Sequence, residues 1–348
     1  MTGRVSNRHL VLHLGCGLAA VVLACAAAAA APRWLGTRWP LLLLAPAAGL
    51  LGFVAGFVCK LAGWIRAPVP FRIPLTAGQH RALVGLPRSR LANPHRAWEV
   101  VLRVLVDVLL FRPLTRATPS APRIGRRLGM SARGLWLCAA AFHGSLAVVL
   151  LGHLRLFLVP VPDVLQLLER FDVVSEATLP KVHLSSLVLP VALLFLLGRR
   201  LALPRLRYIS LAADYFPLLL LLTIAGSGIL MRHFRPTDVA ALKDLVTGLC
   251  TLAPVWPEAL DTLLSIHVFS AALLLAYFPC SKLMHVPGAL LSPTLTLANT
   301  NREVRHVNVR NPRVEVLHYA DYEATFRERM IGAGIPVEEE QHAPAPQA

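Results

Sequence analysis

Six stretches of this chain run without a charged residue for 17 to 23 positions: 10–32, 39–59, 134–154, 182–198, 215–231 and 262–281. A helix rises about 1.5 Å per residue, so each stretch approaches or covers a hydrocarbon core of roughly 30 Å. The shorter ones draw on apolar flanks at 201–213 and 252–259. With 55% apolar and 16% charged residues, the chain lies far outside the usage of water-soluble domains. The expected fold class is an all-α integral membrane protein, a bundle of six transmembrane helices.

The first stretch follows the short basic start MTGRVSNRH, which raises the possibility of a cleaved signal peptide. Its apolar run is too long for one and a second span follows at once, so a retained hairpin is expected. Basic residues in the connections set the orientation. Residues 62–133 hold thirteen Arg against Glu99 and Asp107, and 199–214 hold four Arg against one Asp. The connections 155–181 and 232–261 each have three basic and four acidic residues. The first two are expected in the cytoplasm and the last two outside, with both termini cytoplasmic. That arrangement accounts for the net charge of +16 without nucleic-acid binding.

Four regions are expected: an N-terminal transmembrane hairpin (1–61), a basic cytoplasmic loop with an interfacial helix (62–133), a four-helix region (134–285) and a cytoplasmic tail (286–348). In the loop, 97–111 is apolar apart from Glu99, Arg103 and Asp107, whose spacing of four puts them on one helical face. A helix lying on the membrane is expected there, with packing on a soluble partner as the second reading. A similar short amphipathic stretch lies within 236–257. The tail ends in EEEQHAPAPQA, a composition typical of disorder. Cys16, Cys25, Cys59, Cys138, Cys250 and Cys280 show no C-x-x-C spacing, which excludes covalent haem attachment and cysteine-held clusters.

Histidine placement carries the functional signal. His80, His95, His306, His318 and His342 fall in loops or the tail and read as solvated, while His13, His183 and His233 read as interface groups. The third span carries His143 and His153, and the sixth span with its end carries His267 and His285. Polar groups in lipid are costly and tend to be functional. Depth matches His143 with His285 toward the inside and His153 with His267 toward the outside. That gives two bis-histidine sites stacked across the bilayer, the arrangement two b-type haems need. Zinc fits less well, because neither pair has a carboxylate to complete a tetrahedron.

Helix geometry supports this only in part. Eighteen residues make five turns, so a continuous helix projects His267 and His285 from one face, whereas a spacing of ten leaves His143 and His153 about 80° apart. The axial separations also differ, about 27 Å against about 15 Å. A kink at Pro279 is the expected remedy. Gly144, Gly152 and AGSG at 225–228 read either as room for a macrocycle or as ordinary helix packing. Arg155, Arg207, Arg232 and Lys282 read as orientation charges that could also meet haem propionates.

Phe142, His143, Gly152 and His153, followed by His267, Phe278, Pro279, Ser281, Lys282, Leu283 and His285, resemble the dihaem cytochrome b gamma subunit of respiratory nitrate reductase. APVPFRIPLTAGQ (67–79), RLRYISLAADYFP (205–217), LSPTLTLAN (291–299) and YADYEATFRERMIGAGIPVEEE (319–340) are similar to the DsrM family. These are the membrane cytochrome b subunits of the sulfite-reductase-associated DsrMKJOP complexes, and the likeness runs over essentially the whole chain. Ala77 departs from a cysteine expected at that position.

The resemblance implies two haem b groups with His143, His153, His267 and His285 as axial ligands, and menaquinone or ubiquinone as exchangeable redox partner. It implies a cytoplasmic iron–sulfur subunit, DsrK, related to heterodisulfide reductase, with DsrP, DsrO and DsrJ in the same complex and DsrC reached indirectly. The location implied is the bacterial inner membrane, and the quinone site lies near Gly152 and His153. With both axial positions filled, the haems would carry electrons and make no substrate bonds. The alternatives are a gamma-type subunit of another quinone-linked reductase, a proton or metal transporter built on histidines, and a passive anchor.

Overall fold

The computed structural model describes residues 2–35, 39–68, 90–116, 132–175, 181–251, 261–300 and 317–338, with 253, 304 and 307 between them. Ala77, the side chain of Cys250, His80, His306, His342 and the last ten residues lie outside what is described. The chain is nearly all helical: α1 (Thr2–Leu35), α2 (Trp39–Arg66), α3 (Ala97–Leu109), α4 (Arg112–Arg116), α5 (Ala132–His153), α6 (Asp163–Asp172) and α7 (Leu184–Ala202). There follow α8 (Pro204–Ile209), α9 (Ala212–His233), α10 (Val239–Cys250), α11 (Thr262–Tyr277), α12 (His285–Leu291), α13 (Pro293–Thr296) and α14 (Tyr319–Gly332). A short antiparallel pair, β1 (Val173–Ser175) with β2 (Val182–His183), lies between α6 and α7.

Six of these helices, α1, α2, α5, α7, α9 and α11, are long and apolar enough to cross a membrane, and they overlay the six uncharged windows. The chain is a multi-pass membrane protein. Its centre is a cluster of Leu189, Leu193 and Leu221, flanked by Phe142, Leu146, Val149 and Leu274. Lipid supplies no hydrophobic drive between helices, so close backbone approach matters more. α2 runs along α11 and α1 along α9, more than they run along each other. A Cβ at Gly49 would stand 2.6 Å from the Ala272 carbonyl oxygen, and one at Gly56 would stand 2.8 Å from the Pro279 Cβ. Those glycines let α2 seat against α11 and the turn after it.

One expectation needs correction. The sixth span is not a continuous helix to His285. α11 stops at Tyr277, a 3-10 turn covers Phe278–Cys280, Ser281 is extended (φ −115°, ψ 174°), and a second 3-10 turn covers Lys282–Met284. The five-turn, one-face argument therefore fails, and Pro279 sits in a break rather than a kink. On α3, Glu99, Arg103 and Asp107 share a face, as expected, and that face turns inward. Glu99 is buried and accepts the N–H groups of His95 and Arg96, while Asp107 is buried between Arg103 and Arg112. The apolar face of Trp98, Val101, Leu105 and Leu109 is the exposed one.

Candidate functional site

The four span histidines meet in two pairs. The His143 and His285 ring centres are 6.1 Å apart with planes at 86°, and those of His153 and His267 are 6.3 Å apart with planes at 8°. The helix break explains how unequal spacings give matched pairs. α11 continues ten residues beyond His267 to Tyr277, the same count that separates His143 from His153 on α5, and seven residues of turn then carry the chain to His285. The His143/His285 pair, here the inner pair, lies where α4 packs on α5. The outer pair lies toward α6 and the turn after α5.

In all four rings Nδ1 is already engaged. His143 donates to the Ala139 carbonyl at 2.7 Å and His153 to that of Val149 at 2.7 Å, each one helical turn back. His285 donates to the Lys282 carbonyl at 2.9 Å. The His267 Nδ1 is 2.9 Å from the Ser227 hydroxyl, which itself donates to the Ile224 carbonyl at 3.0 Å and so must accept from the ring. Each imidazole is therefore placed as the Nδ1–H tautomer, and Nε2 has no hydrogen-bond partner among the described residues. A metal-binding histidine is held in this way by its other nitrogen.

Haem iron fits these residues. A ligating imidazole nitrogen sits about 2 Å from its metal, which puts the centres of two rings on opposite sides of one ion roughly 6 Å apart. There is also room beside the rings: a Cβ added at Gly144, Gly152 or Gly226 would meet no protein atom within 4 Å. Gly228 differs, because its Cβ would stand 3.4 Å from the His267 Cε1. No group of three or more His, Cys, Asp or Glu suited to a metal occurs among the described residues. Imidazole pairs are the available donors.

Several participants were missed in the sequence. Phe111 adopts φ 49°, a left-handed conformation strained for a residue with a Cβ, and its ring centre lies 4.9 Å from that of His143. Ser227 was seen only as part of a small-residue run. His9 pairs with His13 (ring centres 4.3 Å), and His13 accepts from the Ala212 N–H at 3.3 Å, tying α1 to the start of α9. His95 is half-buried, its Nδ1 3.3 Å from the Asn299 carbonyl oxygen, where a solvated ring was expected.

The charges named as propionate partners have other contacts. Arg155 binds both Glu169 carboxylate oxygens at 3.1 and 3.2 Å, Arg232 reaches the Lys181 carbonyl at 3.3 Å, and Lys282 reaches Asp214 at 2.6 Å. At the outer end His183 is buried, its Nε2 3.7 Å from Glu169. Burial first and the Arg232 charge second hold its imidazole below the usual histidine range, against the pull of Asp172 and Glu169.

Comparison with known proteins agrees with the helix arrangement. Residues 129–299 match the family model described as nitrate reductase gamma subunit. An "Hdr-like menaquinol oxidoreductase cytochrome b-like subunit" of Archaeoglobus fulgidus is 37% identical over 268 residues, covering 75% of this chain and 80% of that protein. Its counterpart in Archaeoglobus profundus is 36% identical over 271 residues, covering 76% and 80%. The chain belongs to the nitrate reductase gamma-like family of membrane subunits, together with these two archaeal cytochrome b-like relatives.

Proposed function

We propose that this chain carries electrons across the membrane between quinone and a cytoplasmic iron–sulfur partner, using two haem b groups held by His143 with His285 and by His153 with His267. The observation that carries the reading is the pairing itself: two facing imidazole pairs at 6.1 and 6.3 Å, with every Nδ1 committed and no Nε2 partner among the described residues. His143 with His285 and His153 with His267 would each hold one haem, which would supply one-electron chemistry there. The protein's part is to fix ligand tautomer and ring plane, and to place the two pairs in sequence along the bundle. Phe111 covers the inner pair beside α3 and α4, which is where electrons would pass to a soluble subunit.

The names of the two relatives favour menaquinol as the quinone, and an Hdr-like partner fits the expected DsrK subunit. We place the quinone site beside the outer pair, near Gly152 and His153, where the glycine leaves open space and the histidine is exposed. The remaining assignments follow the DsrM-like resemblance: DsrP, DsrO and DsrJ as companions, DsrC as the distant acceptor, a bacterial inner membrane and cytoplasmic termini. The test is reduction by a menaquinol analogue in membranes containing the full chain. Both b-type absorption bands should appear on adding the quinol, and Gly152→Leu should slow that reduction at least tenfold without changing the dithionite-reducible haem. Equal rates in the variant contradict the quinone placement.

A further inference from the structure

The two pairs are oriented by different means. His143 and His153 bond to carbonyls of their own helix, and His267 bonds to Ser227 on α9. His285 alone takes its orientation from a carbonyl in a three-residue turn, that of Lys282. The turn follows extended backbone at Ser281, so that carbonyl is held by a single 3-10 turn, where it accepts the His285 N–H, and not by a continuous α-helical ladder. Ser281 braces it locally, its hydroxyl donating to the Phe278 carbonyl at 2.8 Å and accepting from the Leu283 N–H at 3.1 Å. Besides the packing of α2 on Pro279, the turn is tied to another span by the Lys282 ammonium, which donates to the Asp214 Oδ1 at 2.6 Å.

Asp214 is a fixed anchor. Its side chain is 5% exposed, its Oδ2 accepts from the Leu211 N–H at 3.0 Å at the start of α9, and Arg200 stands 3.8 Å away. A carboxylate in the first turn of a helix is favoured by the helix dipole. Lys282, by contrast, is 74% exposed, so the pair contributes little to stability. Its effect is geometric: it ties the turn that carries the His285 acceptor to a buried point on α9.

We propose that Asp214 and Lys282 are positioning residues for His285, holding its ring crosswise to that of His143 and so making the inner haem site electronically distinct from the outer one. This rests on the dihaem reading above. In a low-spin ferric centre with two axial imidazoles, each ring's π orbital acts on the iron d orbital selected by the ring plane. Parallel planes act on the same orbital, split the d pair and give a rhombic spectrum. Crossed planes act on both orbitals alike and leave them nearly degenerate, which gives one very large g value. Planes at 86° and 8° therefore assign the large-g signal to the inner site and the rhombic signal to the outer site.

The experiment is electron paramagnetic resonance of the oxidised full chain in membranes, with haem content measured by absorbance on the same samples. The wild type gives one large-g and one rhombic signal. Lys282→Gln is the decisive variant because the side chain is largely exposed: its large-g signal moves toward the rhombic one, with two haems per chain retained and the outer signal in place. Asp214→Asn gives the same shift, Lys282→Arg keeps the wild-type spectrum, and Ser227→Ala alters the rhombic signal alone. A large-g signal unchanged in Lys282→Gln overturns the proposal, as do two rhombic signals in the wild type. Absence of haem from the wild type is a different result, and it overturns the dihaem reading itself.

Discussion

The outer and inner histidine pairs present the same chemistry on different backbones. At the outer pair both ligands stand on regular helix, α5 and α11, and their planes lie within 8° of parallel. At the inner pair His143 stands on helix while His285 follows two 3-10 turns, and the planes are crossed at 86°. The outer pair therefore stands on regular helix with one contact from a neighbouring span, Ser227 of α9, whereas the backbone of the inner pair depends on several other elements: α2 through Gly56, α9 through Asp214 and the α3–α4 turn through Phe111. The inner site should yield to changes that leave the outer site intact.

Gly56→Val should have the largest effect. Its Cβ would stand 2.8 Å from Pro279, in the turn that leads to His285. Overpacking of this kind costs about 1–3 kcal/mol, and the inner haem band should weaken in the reduced-minus-oxidised spectrum while the outer band stays. Loss of both bands together would mean that the two sites do not form independently. Phe111 comes next, since its left-handed backbone is strained by roughly 1–2 kcal/mol in a residue with a Cβ. Phe111→Ala and Phe111→Gly remove the same ring, but glycine relieves the strain. The glycine variant should be the more stable by about 1 kcal/mol in thermal unfolding monitored by inner-site absorbance; equal stabilities would contradict the left-handed assignment.

The smallest effect is a pH response at the outer end. The folded-state pKa of His183 is lowered, so its neutral form favours the fold. That contribution is present above the unfolded value of about 6.5 and is lost as pH falls through the lower folded value. The protection factor of the Ser185 amide, held by Asp172 at 2.8 Å and taken relative to its intrinsic exchange rate at each pH, should therefore fall on acidification below about pH 6. His183→Gln should flatten that dependence, and the inner pair should show none of it.

Legibility in the sequence follows the same divide. Spans were readable because charge-free length is a one-dimensional property: five of the six fall within four residues of their windows, and the second runs seven residues past its window to Arg66. Pairing of the histidines was readable from depth, which needs only the order and direction of spans. Ring orientation was not, because it depends on where α11 stops, and the apolar run continues through Tyr277 without a signal stronger than Pro279. Asp214 was visible as the one acid beside four arginines, but its link to Lys282 spans 68 residues. Ser227 looked like a spacer in AGSG, since a hydroxyl and a small side chain read alike in a membrane helix. The inward turn of Glu99 and Asp107 on α3 was hidden for a related reason: periodicity gives a shared face and leaves open which way it points.

The most direct test of the account is haem b content per chain in the wild type and in four single variants, His143→Ala, His153→Ala, His267→Ala and His285→Ala. Two haems are expected in the wild type and one in each variant. The surviving band should be shared by His143→Ala and His285→Ala, and the other band by His153→Ala and His267→Ala. A wild type with one haem, or variants that group as 143 with 153 and 267 with 285, would contradict the pairing on which the proposed function stands.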